Sequence, residues 1–210
     1  MILAVCGLKR EARIVARAGV TIAIGRAVIP EGTTGVISIG IAGALSPDLK
    51  AGDVVIAERA VTANEVFETD GKWTARLAAA LREARIGALL GRGTIADSAD
   101  VKAALHSSTS ADAVDMESHL AARAARARGL PFAAVRAISD RADHTLPPAA
   151  LVAMKLDGSI ALGRVLKSVV IKPAQIPALI RTAHDSEKAF AALLRCVEIL
   201  GPGLGCPYLG

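Results

Sequence analysis

The sequence predicts one α/β domain whose sheet is parallel in part and covered by helices. Three observations predict it. Short apolar, β-rich runs crowd the first third of the chain; a strand, a helix and a second strand follow one another within residues 111–138; and no repeat, low-complexity segment or linker divides the 210 residues. A strand–helix–strand unit of that length is a parallel crossover, which lays a helix on a sheet face.

Taken in order, residues 2–6 form an apolar run stopped by Gly7, and residues 9–18 have helix-forming composition closed by Gly19. Residues 20–24 and 36–41 read as strands, the second bounded by Gly35, Gly40 and Gly43, and a strand over 54–57 follows the turn at Gly52-Asp53. A helix is expected over 73–85, a strand within 87–96 and a short helix over 101–106. The crossover is the strand 111–114, the helix 116–128 closed by Gly129, and the strand 131–138. Residues 147–167 and 175–200 read as two long C-terminal helices on either side of the breaker Pro173.

With 52% hydrophobic and 21% charged residues, the bulk of the chain is not disordered. The net charge of +5 raises nucleic-acid binding, but Lys and Arg are scattered along predicted helices and aromatics make up 2%, so no basic run carries rings to stack on bases. No nucleic-acid partner is expected. Cys6, Cys196 and Cys206 form no CxxC pair and, being three, cannot all pair with one another, which fits a reducing cytoplasm. The first seven residues lack the pattern of a secretory leader, and no apolar run reaches the ~18 residues of a spanning helix. Lys155, Arg164, Lys167, Lys172 and Arg181 alternate with apolar residues in the C-terminal helices. That pattern suits peripheral contact with anionic lipid, although covering the sheet is the plainer reading.

Three stretches can carry chemistry. Gly40-Ile41-Ala42-Gly43 follows the apolar run 36–39, and glycines after a strand let backbone N–H groups approach an anion. Ser38 stands where a dinucleotide fingerprint has its first glycine, so that fingerprint is absent, and a tight turn explains the glycines equally well. Val114-Asp115-Met116-Glu117-Ser118 opens the helix 116–128. At about 100° per residue, His119, Arg123 and Arg126 share one face, while Leu120, Ala121 and Ala124 mark the core stripe. Glu117 falls on the apolar side, where a bare carboxylate costs several kcal/mol, and the helix N-terminus favours its ionised form. A capping role for this turn, supplied by Asp115, is the alternative. The third stretch, Ile138-Ser139-Asp140-Arg141-Ala142-Asp143, follows the strand that closes the crossover, where ligands of open α/β sheets collect. Asp140 is a candidate acid there, and helix capping is the alternative. His106, His119, His144 and His184 have no metal-ligand spacing, His119 is expected on the solvated face, and no metal is expected.

Together these stretches resemble the nucleoside phosphorylase and nucleosidase superfamily. They match its glycine-rich segment (residues 38–43), its Met-Glu segment (114–118) and its Ser-Asp pair (135–143), in order over roughly residues 1–145, together with 49–55 and 93–100. The resemblance implies a three-layer sandwich around a central mixed, partly parallel sheet. Within the superfamily, Gly7-Leu8 with Glu11-Ala12-Arg13, Lys102-Ala103-Ala104-Leu105-His106 and the C-terminal helices are similar to the hopanoid-associated phosphorylases, which act on adenosylhopane.

The resemblance implies cleavage of the N-glycosidic bond of an adenine nucleoside, by phosphate or, as the alternative, by water; a purine-binding module that keeps the fold without turnover is a further alternative. Asp140 would serve the purine N7 and Glu117 the ribose hydroxyls, both as catalytic residues. Met116, Ser139, Val114 and Asp115 would bind substrate. Gly7, Ser38, Gly40, Ile41, Ala42 and Gly43 would hold inorganic phosphate as co-substrate, with no cofactor, and the chain would form a homo-oligomer. Phosphate is favoured, because an ungapped placement puts Ala12 where hydrolytic relatives carry a water-activating Glu, with Glu11 one residue early. Ile41 stands where phosphorolytic relatives often have a hydroxyl, leaving Ser38, Arg10 and Arg13 as substitutes.

Overall fold

The computed structural model describes residues 1–151 and 162–208. Its strands are β1 (Ile2–Cys6), β2 (Thr21–Ile24), β3 (Gly35–Ala44), β4 (Val54–Val61), β5 (Val66–Glu68), β6 (Arg85–Gly91), β7 (Ala113–Asp115) and β8 (Phe132–Asp140). The helices are α1 (Lys9–Val15), α2 (Gly71–Ala80), α3 (Ala99–Thr109), α4 (Ser118–Ala127), α5 (Pro148–Leu151), α6 (Leu162–Ile171) and α7 (Ile176–Leu200).

The sheet is mixed, as expected. β3 runs parallel to β1 and β8, and β6 runs parallel to β4 and β7. β7 is antiparallel to β3, and β4 is antiparallel to β8 and β5. Followed pair by pair, β3–β8–β4–β6–β7 returns to β3, so five strands close a circuit, while β1 and β2 extend from it.

Alternation along β1 shows why helices cover both faces. Ile2, Ala4 and Cys6 join the cluster that holds Ala189, Leu193 and Cys196 of α7, whereas Leu3 and Val5 join Ala121, Ala122 and Ala125 of α4. Each fully buried side chain such as Leu3, Ile37, Ile39 or Leu193 contributes about 1.5–3 kcal/mol. Trp73 anchors the first cluster, its Nε1 donating to Leu204 O at 3.0 Å.

Several boundaries differ from the sequence reading for local reasons. α2 starts earlier because the Asp70 carboxylate accepts the Trp73 N–H at 2.8 Å, and it stops at Ala80 so that β6 can begin at Arg85. α3 runs from the Ser98 cap to Ser110, whose φ of 54° ends it. α4 starts two residues later than expected. Its core stripe is Ser118, Ala121, Ala122 and Ala125. Pro148–Leu151 and Leu162–Ile171 are helical, and the intervening part of the expected helix 147–167, including Lys155, lies outside the described residues. No described helix is long and apolar enough to cross a membrane.

The largest correction concerns Gly40 to Gly43, where the strand was expected to stop at Ile41 and the glycines to turn the chain toward an anion. All four residues lie within β3, paired in register with β8 until a bulge between Ala42 and Gly43. The bulge sets Gly43 opposite Asp140, the last residue of β8.

Candidate active site

A cavity of about 540 Å³ opens over the ends of β1, β3, β7 and β8. Its walls include Gly7, Ile41, Ala42 and Gly43 from the glycine-bearing stretches, Val114 to Glu117 from the segment before α4, and Ser139 and Asp140 from β8. Glu117 and Asp140 thus face one cavity. Gly40 and Ser38 are not on its surface, and Ser38 is fully buried with its hydroxyl accepting from Arg136 Nη2 at 2.6 Å.

At one end three carboxylates surround one cation. Arg136 sits in the middle of β8, wholly buried, and its Nε donates to Asp115 Oδ2 at 2.5 Å while Nη2 lies 3.7 Å from Glu117 Oε2. Arg136 Nη1 is buried without a hydrogen-bond partner among the described residues. Burial opposes the charge on Arg136, but Asp115, Glu117 and Glu11 outweigh it and hold its pKa above the ordinary value. Asp115 is the helix cap that the sequence allowed, its Oδ1 accepting from Ser118 N at 2.9 Å and Ser118 Oγ at 2.7 Å.

Glu11, which the sequence reading set one position before the place where hydrolytic relatives carry a Glu, is part of the site. It is 2% exposed and lines the cavity, with Oε2 accepting from Gly7 N at 2.7 Å and Leu8 N at 2.8 Å, and Oε1 accepting from Ile41 N at 2.7 Å. The carboxylate reaches back over the end of β1 because α1 starts at Lys9, just after the Gly7-Leu8 turn. Burial raises its pKa despite Arg136 and the three N–H groups. Three of the roughly four acceptor positions of a carboxylate are therefore occupied, leaving one.

Glu117 behaves differently from the sequence expectation. The helix dipole was expected to favour its ionised form, yet burial dominates, Asp115 and Glu11 add repulsion, Arg136 offsets only part, and its pKa is raised to about 7. Its neighbour His119 is not on the solvated face. The imidazole packs on Gly91, Nδ1 is buried without a partner among the described residues, and burial lowers its pKa.

The glycines make room for carboxylates. A Cβ on Gly7 would lie 2.5 Å from Glu117 Oε1, and one on Gly40 would lie 2.5 Å from Glu11 Oε1 and 2.7 Å from Arg136 Nη1. One on Gly43 would lie 3.1 Å from Asp140 Oδ2. Arg10 and Arg13 do not supply a free cation there: Arg10 is paired with Glu187 and stacked on Phe190, and Arg13 is exposed outside the cavity wall.

At the other end stands Asp140, 8% exposed. Its Oδ1 accepts from Ser139 Oγ at 2.7 Å, and Oδ2 is paired with Lys102 of α3. Leu8, Leu146, Val165, Leu179 and Phe190 give the rest of the wall an apolar character. Among the described residues no group of His, Cys, Asp and Glu is arranged to hold a metal ion, and the three cysteines are free and buried.

Sequence reasoning missed Glu11, Arg136 and Lys102 as site residues. The available signals were an Arg within the otherwise apolar run 132–138, and a Glu two residues into a helix that directly follows a strand.

The fold is similar to that of Helicobacter pylori futalosine hydrolase, with a TM-score of 0.63 at 19% identity over 81% of this chain and 97% of that one. It is also similar to Campylobacter jejuni 5′-methylthioadenosine/S-adenosyl homocysteine nucleosidase, with a TM-score of 0.63 at 16% identity over 92% and 97%. A third similar structure is the Streptococcus pyogenes S-adenosylhomocysteine nucleosidase, with a TM-score of 0.59 at 17% identity over 91% and 95%. No curated protein sequence matches the chain. Residues 15–170 match the model of the phosphorylase superfamily, a span that holds Arg136, Glu117 and Asp140 together, and the chain belongs to that superfamily.

Proposed function

We propose that this protein removes adenine from a 5′-substituted adenosine by cleaving the N-glycosidic bond, with water as the nucleophile. The observation that carries the reading is the convergence of Glu11, Glu117 and Asp140 on one cavity, the first two beside Arg136. Breaking the bond develops positive charge on the sugar, and an end with three carboxylates and one guanidinium is arranged to stabilise it.

Glu11 keeps one acceptor position for water, and its raised pKa makes it a stronger base once ionised. Arg136, whose Nη1 lies beside Glu11 Oε1 beneath Gly40, holds the charge of that carboxylate from behind the cavity wall. Glu117 accepts from the ribose hydroxyls, Met116 packs against the sugar, and Asp140 with Ser139 serves the base. Val114 completes the wall, and Asp115 holds Arg136.

Two features weigh against phosphate. The N–H groups of Gly7, Leu8 and Ile41 are committed to Glu11, and a phosphate dianion placed there would meet two carboxylates. For the 5′ group, the apolar walls suit an apolar substituent, a class that includes adenosylhopane. Exposed Leu166, Val170, Ile171 and Ile180, near Lys167, Lys172 and Arg181, support peripheral contact with an anionic bilayer, which flotation with anionic liposomes at low salt checks.

The reading is tested by product analysis on a panel of adenine nucleosides with and without phosphate. Free adenine and an unphosphorylated sugar, at rates independent of phosphate, are expected. Release that requires phosphate and yields a sugar 1-phosphate would replace hydrolysis by phosphorolysis.

A further inference from the structure

We infer that Lys102 supplies, through Asp140, the proton that the departing purine takes up at N7. This rests on the hydrolytic reading of the site and adds a residue outside the cavity wall.

Lys102 is 0% exposed, on a helix whose apolar neighbours Val101 and Leu105 pack under β6 and β7. A wholly buried lysine is rare and costly unless fully partnered. This one is: Nζ donates to Asp140 Oδ2, to Arg141 O at 2.8 Å and to His144 O at 2.9 Å. Three acceptors take three N–H bonds, so the resting side chain is the ammonium. The other charged groups near Asp140 are engaged elsewhere. Arg141 holds Asp143 at 2.9 Å, His144 lies 3.8 Å from Asp143 and from Asp185, and Asp185 takes Lys188 at 3.1 Å.

An ionised Asp140 can only accept hydrogen bonds, so by itself it has no proton for the base. The pair does. A proton moves from Lys102 Nζ to Asp140 Oδ2, the N–H electron pair staying on nitrogen. As the C1′–N9 bond breaks and its electrons enter the purine, the Asp140 carboxyl gives that proton to N7 and becomes a carboxylate again. Water adds its oxygen to C1′ and loses a proton to Glu11, which gives it up to solvent as the products leave. The neutral Lys102 amine keeps two N–H bonds, the number needed by the carbonyls of Arg141 and His144, and it recovers its proton from solvent after the products leave. The two carbonyl bonds thus survive the cycle, and the loop after β8 need not move.

Lys102 acts through Asp140 and is a positioning and proton-supplying residue. The test compares the wild type with Lys102→Met and Lys102→Gln, the latter keeping amide donors for the carbonyls, on 5′-methylthioadenosine between pH 5.5 and 9. Thermal melting checks that each variant folds. The expected result is a KM within about threefold of wild type and a kcat lowered about 100-fold at pH 8, the size of a lost general-acid contribution. The ratio of variant to wild-type kcat should recover about tenfold for each pH unit lowered, since the proton must then come from solution. Taking this ratio cancels the titration of Glu117, which both proteins share. A ratio independent of pH, an unchanged kcat, or failure of both variants to fold would make Lys102 a purely structural ion pair and overturn the inference. Absence of adenine release by the wild type on every adenine nucleoside would instead overturn the hydrolytic reading itself.

Discussion

The two ends of the cavity are built on opposite electrostatic plans. Around Arg136, the three carboxylates of Glu11, Asp115 and Glu117 face one guanidinium, whereas Asp140 faces the single ammonium of Lys102. The first end carries more negative charge than it balances, and burial answers by raising the pKa of Glu11 and Glu117. The second is balanced within itself. The proposed reaction, which makes a cation of the sugar and a proton acceptor of the base, would suit that division, with unbalanced charge where positive charge appears and a shared proton where negative charge departs.

Replacing Arg136 by Met breaks the contrast most severely. It leaves buried carboxylates without their cation, and a loss of about 3–5 kcal/mol in urea unfolding is expected, together with loss of activity. Glu11→Gln should leave the fold intact and lower kcat by about 10²–10⁴-fold in an adenine-release assay. If that variant kept full activity in water, the sugar end would not activate the nucleophile. Gly40→Ala pushes a methyl against Glu11 Oε1 and Arg136 Nη1, and about 1–3 kcal/mol of stability should be lost on thermal or urea denaturation.

Glu117 gives the smallest effect, and it depends on pH. Its pKa is about 7 in the folded protein against about 4.3 for an ordinary Glu, so the folded state binds that proton more tightly. Its contribution is complete below the unfolded value and is lost as pH rises through about 7. Melting of the wild type should therefore fall from pH 5 to pH 8 by a few degrees more than that of Glu117→Gln, at roughly 2–4 °C per kcal/mol. Activity should run the other way and decline below about pH 7, where Glu117 protonates and loses the negative charge offered to the ribose.

Much of this plan was legible in the chain. The crossover through β7, α4 and β8 and the strands β1 and β3 follow from apolar runs punctuated by glycine, and the convergence of Glu117 and Asp140 follows from the order of their motifs. Glu11 was not singled out as a site residue because its contact with Ile41, thirty residues away in sequence, shows only in three dimensions, where the side chain bends back over the Gly7-Leu8 turn. The glycines of β3 looked like a loop because an open face with no side chain reads the same whether it receives a phosphate or a neighbouring carboxylate. Arg136 stood in plain sight, but its partners come from α1, β7 and the residue before α4, separated too far along the chain for spacing to reveal them.

The circuit of β3, β8, β4, β6 and β7 also bears on how the molecule meets its own kind. Strands that hydrogen-bond on both sides offer no template to a passing chain, and among the described residues the open borders are those of β2, four residues long, and β5, three residues long. Borders so short are poor seeds for ribbon-like aggregation. The protein should therefore tolerate high concentration in its folded state, and association between copies should proceed through side chains on helices and loops, leaving the backbone ladder untouched.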